Sequence, residues 1–144
     1  MDNMRVAIGT DHRGVELKDQ LAQWLTALGH QVADAGAHSA DSVDYPDIAQ
    51  VVAGQVAAGD ADRGVLICGT GIGMAIAANK TPGIRAHSIR TEFEAEISRR
   101  HNNLNVLCLS ADMPMDEQKK LILLFLKTPF DGGRHARRVD KLEQ

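Results

Sequence analysis

Five short apolar runs, each followed by a longer segment with helical apolar spacing, constrain this chain more than any other feature. The runs Arg5–Gly9, Gln31–Ala35, Gly64–Cys68, Ile84–Ile89 and Asn105–Leu109 read as strands. The segments Val15–Leu28, Pro46–Ala58, Ile72–Asn79, Thr91–Arg100 and Asp116–Lys127 read as helices. In the first, Leu17, Leu21, Trp24, Leu25 and Leu28 fall along one face and Gly29 closes it. Pro46 suits a helix's first turn, and the tail from Gly132 has room for a short terminal helix. Alternation of this kind predicts an α/β fold, a Rossmann-like three-layer α/β/α sandwich around a five-stranded parallel sheet. With 144 residues, 44% of them hydrophobic, and no repeat or long linker, residues 1–144 are expected to form a single domain.

Within that frame one stretch carries chemistry. Gly64-Val-Leu-Ile-Cys-Gly-Thr-Gly-Ile-Gly73 is a strand that ends in a cysteine and runs into alternating glycines before a helix. Such a turn exposes backbone N–H groups to an approaching anion. Amides and a helix N-terminus beside Cys68 favour the thiolate over the thiol. A buried strand cysteine with a plain glycine turn is the structural alternative. Familiar loops fail on counting: Met74 and Ile76 stand where a dinucleotide fingerprint needs glycine, and no Lys-Ser/Thr pair follows for a nucleotide loop.

Ligands of open parallel sheets bind at the carboxyl ends of the strands. The residues expected there are Asp11, His12 and Arg13, then Asp41, Asp44 and Tyr45, then Cys68, Gly69, Thr70 and Gly71. Asp11 equally suits a helix cap, and His101 suits a helix C-terminus. Arg134 and Arg138 lie four apart, where two guanidinium forks can grip one phosphate, although a solvated basic face is the commoner fate of such charges. His30, His38 and His87 are expected to be structural or surface residues. Neither H-E-x-x-H nor paired C-x-x-C spacing occurs, so no metal site and no cofactor is expected. There is no G-x-S-x-G hydrolase elbow. A cysteine base, an amide cradle, an Asp-His pair, a second histidine and a basic tail suit proton transfer beside a carbonyl in a small phosphorylated molecule.

A net charge of −3 gives no electrostatic reason to expect nucleic acid. The opening Met-Asp-Asn-Met lacks a basic region followed by an apolar stretch, and no run is long enough to span a membrane. Two cysteines, Cys68 and Cys108, both in strand-like runs, argue against a disulfide framework and for a reducing cytoplasm.

The chain resembles the type B ribose-5-phosphate isomerases, a family that includes allose-6-phosphate and galactose-6-phosphate isomerases. The resemblance rests on Gly9-Thr-Asp-His-Arg-Gly14, Asp44-Tyr-Pro46, Ile67-Cys-Gly-Thr-Gly-Ile-Gly73 with Ala77-Ala-Asn-Lys80, Gly83-Ile-Arg85, His101-Asn-Asn-Leu-Asn-Val106 and Gly132-Gly-Arg-His-Ala-Arg-Arg-Val139. These pieces span nearly the whole chain in the family's order.

The resemblance implies an aldose–ketose isomerase in which Asp11 and His101 assist ring opening and Cys68 moves a proton between C2 and C1 through a cis-enediolate. It implies that amides of Gly69, Gly71 and Gly73, with Thr70, hold the oxyanion. His12, Arg134, His135 and Arg138 would bind phosphate, and Tyr45 and Asn102 the sugar. It further implies a dimer or tetramer with the site at a subunit interface, so that His101 and Asn102 serve a neighbour's cysteine. Some relatives place a glutamate at the position of Met74 and lack the cysteine. One departure stands out: Asp112 occupies a place after the fifth strand where many relatives have a phosphate-reaching arginine. Three resolutions follow: a cation such as Arg90 compensates, the phosphate sits differently, or the preferred sugar is another, such as allose 6-phosphate. Alternatively, Asp112 turns away to cap the next helix. A binding-only sensor of sugar phosphates is the reading from another class, and it has no use for a thiol base.

Overall fold

The computed structural model describes residues 3–39 and 41–144. Five strands and six helices alternate as β1 (Arg5–Thr10), α1 (Val15–Ala27), β2 (Gln31–Asp34), α2 (Tyr45–Ala57), β3 (Arg63–Cys68), α3 (Ile72–Ala78), β4 (Ala86–Ser88), α4 (Glu92–Asn102), β5 (Val106–Ser110), α5 (Met115–Lys127) and α6 (Arg134–Leu142). All strand pairs are parallel, in the order β2-β1-β3-β5-β4.

Side-chain alternation along the strands builds a core on each face of the sheet. Val6, Ile8, Val65, Ile67, Leu107 and Leu109 point to one face, under Leu21 and Leu25 of α1, Ala95 of α4, and Leu121, Ile122, Phe125 and Leu126 of α5. Ala7, Leu66, Cys68, Val106 and Cys108 point to the other, under Ala49, Val52 and Ala53 of α2 and Met74, Ala75 and Ala78 of α3. The three-layer expectation holds, and each fully buried aliphatic side chain contributes about 1.5–3 kcal/mol toward it.

Most element ends fall within one residue of the sequence reading, and two elements, β4 and α4, shift by two residues at one end. The fourth strand shrinks from Ile84–Ile89 to Ala86–Ser88 because it is an edge strand. At its start, side chains take the backbone donors: the Arg85 amide donates to Asn105 Oδ1 and the Ala86 amide to Asn79 Oδ1, each at 2.8 Å. The fourth helix runs past Arg100 to Asn102, where Asn103 adopts the left-handed conformation (φ 49°) that ends it. Among the described residues, no helix is long and apolar enough to cross a membrane.

Candidate active site

Strand register brings three carboxyl ends side by side, since Thr10 pairs with Ile67 and Cys68 with Ser110. The chain leaves β1 for β2 on one side and returns through β3 on the other, so the crevice of an open α/β sheet lies outside β1 and β3. Cys68 ends β3 with 6% of its surface exposed. Its Sγ accepts the Gly71 N–H at 3.1 Å.

Gly71 meets two demands at once. Its φ is +80°, and a Cβ there would lie 2.7 Å from Ser88 Oγ, which itself donates to the Thr70 carbonyl at 2.9 Å. Thr70 Oγ1 accepts the Ile72 N–H at 3.2 Å. The first amide of α3 that bonds back along the helix is that of Ala75, to Gly71 O at 3.1 Å. Gly73 and Met74, ahead of it, therefore present the orphan donors of a helix start. Gly73 is small because the Tyr45 ring packs on it; a Cβ there would come within 2.7 Å of that ring.

The loop after β1 forms the other wall. Asp11 is buried, its Oδ1 accepts the Arg13 N–H at 3.0 Å and its carbonyl accepts the Gly14 N–H at 3.3 Å. Asp11 thus braces the turn ahead of α1, whereas the cap position itself belongs to Gly14. His12 Nδ1 accepts the Val43 N–H at 3.4 Å. The Arg13 guanidinium lies over Gly69, 2.8 Å from where a Cβ would be.

At the β5 end Ser110 Oγ donates to the Gly69 carbonyl at 2.7 Å and also contacts Asp112 Oδ1. Arg90 Nη2 stands 3.6 Å from the same Asp112 oxygen. The Ser110 hydroxyl first, and then Arg90, hold the Asp112 carboxyl below the usual carboxylate range. The expectation that Asp112 caps the next helix is not met, because Pro114 occupies that position. Pairing with Arg90 is what the structure shows.

The remaining expected residues lie at the opposite edge of the sheet. Three residues separate the end of β4 from the start of α4, which, with a rise of about 1.5 Å per residue, carries His101 and Asn102 back to the amino edge, just ahead of β5. α6 packs there as well: the His135 ring stacks on His101 with centroids 4.1 Å apart and planes 10° from parallel. His101, Asn102, His135, Arg138, Val139 and Leu142 line a cleft of about 310 Å³. Burial, then the charges of His101, Arg134 and Arg138, push the His135 imidazole below its ordinary value. One chain therefore brings Asp11, His12, Tyr45 and the Cys68–Gly73 loop together at one edge, and His101, Asn102, Arg134, His135 and Arg138 near the other.

Sequence reasoning passed over three polar residues at these sites. Ser88 and Ser110 were legible as strand-end hydroxyls. Asp131, which presents a carboxylate oxygen within 4.8 Å of ring nitrogens of His101 and His135, carried no signal because three separate segments meet there. Of the remaining histidines, His30 is buried and its Nδ1 accepts the Met4 N–H at 3.0 Å, a structural role as expected. His38 and His87 are exposed.

A cysteine-tipped strand, an amide-lined turn and a basic, histidine-bearing terminal helix on an open parallel sheet define the class: a doubly wound α/β protein with a donor-lined turn at the carboxyl edge of its sheet and a basic cleft near the amino edge. The chain belongs to the Ribose/Galactose Isomerase family, whose model matches residues 6–142. It is similar to the ribose-5-phosphate isomerase B of Escherichia coli K12, 42% identical over 139 residues that cover 96% of this chain and 93% of that one. The ribose-5-phosphate isomerase B structure of Clostridium thermocellum superposes with a TM-score of 0.94 at 45% identity, covering 97% of this chain and 95% of its own. That of Mycoplasma genitalium, with bound ribulose-5-phosphate, superposes at 0.91 with 42% identity over 96% of this chain and 93% of its own.

Proposed function

We propose that this chain interconverts ribose 5-phosphate and ribulose 5-phosphate, with Cys68 as the proton-transfer base. The observation that carries the reading is Cys68 Sγ at the mouth of the amide turn, 3.1 Å from a backbone donor, in a chain related along nearly its whole length to ribose-5-phosphate isomerases. Asp11 and His101 assist opening of the furanose. Cys68 takes the proton from C2 and returns it to C1, which general acid–base transfer accelerates by about 10²–10⁴. The enediolate oxygen that gains charge between these steps is held by the orphan amides at the start of α3, with Thr70. One such donor is worth about 2.7–4 kcal/mol of barrier. In this structure the Gly71 amide serves the sulfur, so Gly73 and its neighbours carry the oxyanion role. Tyr45 and Asn102 contact the sugar, and His12, Arg134, His135 and Arg138 bind the phosphate. No cofactor takes part.

Two copies complete each site in this proposal. Its support is the placement of Cys68 and His101 at opposite edges of one sheet. Ile72 and Ile76 on α3 beside the cysteine loop are also 56% and 58% exposed, an apolar surface suited to a second copy. The cytoplasm suits both the phosphorylated substrate and two free buried cysteines.

The test is turnover of ribose 5-phosphate by the purified protein and by Cys68→Ala, with allose 6-phosphate and unphosphorylated ribose alongside and EDTA in a parallel series. Ribose 5-phosphate turnover that survives EDTA and disappears in the variant, with ligand binding kept, supports the reading. Turnover only of another sugar moves the substrate, binding without turnover makes the chain a sensor, and loss on chelation overturns cofactor independence.

A further inference from the structure

We propose that His101, Asp131 and His135 form a binding site for one borderline divalent transition-metal ion, of which Zn²⁺ is the representative, and that filling it turns the isomerase off. The second half rests on the role given to His101 above; the first does not. The three residues come from the last turn of α4, the connection between α5 and α6, and the first turn of α6. Their donor atoms all lie within 4.8 Å of one another. The fold holds them there: the Asp131 N–H donates to the Arg100 carbonyl at 3.0 Å, and the two imidazoles are already in contact at 4.1 Å between centroids.

Two imidazole nitrogens and one carboxylate are the donor set of three-ligand zinc sites, which leave one position for water. The same set discriminates against magnesium and calcium, which prefer oxygen throughout. Zinc–nitrogen bonds of about 2.0–2.1 Å put tetrahedral donors roughly 3.3 Å apart, so binding draws the three groups inward and opens the parallel stack by rotation about the imidazole χ2 angles. His101 and His135 line a cleft of about 310 Å³, which leaves room for that motion. Three guanidiniums act against the cation: Arg100, whose Nη1 is 3.4 Å from Asp131 Oδ1, and Arg134 and Arg138 on α6. They weaken the site and direct a water or small anion to the open position. A metal held there locks the His101 imidazole and occupies the ground the proposed phosphate group uses.

The experiment titrates Co²⁺, as a visible stand-in for Zn²⁺, into the parent protein and into Asp131→Asn and His135→Ala, and measures turnover with and without Zn²⁺. Expected is one equivalent per chain with nitrogen–oxygen ligand-field bands and no thiolate-to-cobalt charge-transfer band. Both variants should bind at least about tenfold more weakly. Zn²⁺ should inhibit the parent reversibly with EDTA. Asp131→Asn, which leaves the proposed catalytic groups intact, should keep its turnover and lose that sensitivity by at least about tenfold. A thiolate band, or variants that bind cobalt like the parent, overturns the site. Cobalt binding at the site with Asp131→Asn still fully inhibited by Zn²⁺ overturns the regulatory half. If no sugar is turned over, the isomerase reading fails while the cobalt titration still decides the site.

Discussion

Asp112 places a negative charge near a pocket proposed for an anion, and Arg90 answers it. The pair is exposed, so it contributes little to stability; its effect is on the field that the substrate meets. Asp112→Asn releases Arg90 and removes the like charge, and the KM for ribose 5-phosphate should fall about two- to fivefold with kcat held. Steady-state kinetics at low and moderate salt check this, and an unchanged KM would place the phosphate elsewhere. Gly71 is the residue least open to change: Gly71→Ala has to carry a Cβ at φ +80° against Ser88 and the Leu109 backbone. Thermal unfolding should show a loss of about 2–4 kcal/mol, and turnover should fall with it as the amide leaves Cys68. The glycine turn was legible in sequence because alternating glycines after a strand have few other uses. The Asp112–Arg90 pair was legible as a conflict with an option for its resolution, because which side chains meet after β4 and β5 depends on the pairing of those strands.

Two buried cations, Lys18 and Arg99, tie elements together beside the apolar core. Lys18 of α1 has a fully buried side chain whose Nζ donates to Asp19 at 2.6 Å and to Asp34, at the end of β2, at 2.8 Å. Burial alone would lower its pKa, but the two carboxylates outweigh that and raise it from 10.5. A cation whose folded pKa is raised contributes stability in full below the unfolded value and loses it as pH rises through the folded one. Lys18→Met should therefore cost roughly 1–3 kcal/mol near neutrality, and its deficit should shrink above about pH 10.5. Melting curves of the two proteins that stay parallel from pH 8 to 11 would refute the coupling. Arg99 does comparable work at the end of α4, donating to the carbonyls of Thr128 and Leu104 and to Asn103 Oδ1; burial pushes its guanidinium down to about 10, so it remains charged at neutrality. Neither role was legible in the sequence, where both residues look like ordinary helix-surface charges. Apolar runs marked the five strands, the central ones buried on both faces, and one-faced apolar spacing helped mark the helices before the tail; α6 was legible only as room after Gly132. These patterns missed the ends of β4 and α4, since amide side chains of Asn79 and Asn105 and the left-handed Asn103 decide those locally.

At the scale of the whole molecule, the division of site residues between the two edges of one sheet yields the sharpest test. The layered fold was readable from alternation, but the strand order β2-β1-β3-β5-β4 was not, and topology is what sends His101 away from Cys68. A helix that follows a parallel strand must return to the amino edge before the next strand starts, so no rearrangement of α4 short of unfolding joins the two groups within a chain. If each site instead takes Cys68 from one copy and His101 from the other, Cys68→Ala and His101→Asn homodimers are each inactive, while a mixed dimer has one site with both defects and one with neither. Co-expression that yields half mixed dimers should then restore about a quarter of parental turnover, by the pairing rule of a two-fold interface. Sites contained within single chains predict no recovery at all, because every chain would carry its own defect. Dilution supplies the matching control: specific activity should fall as dimers dissociate and return on concentration, and activity that persists in demonstrably monomeric protein would refute the shared site together with the complementation it predicts.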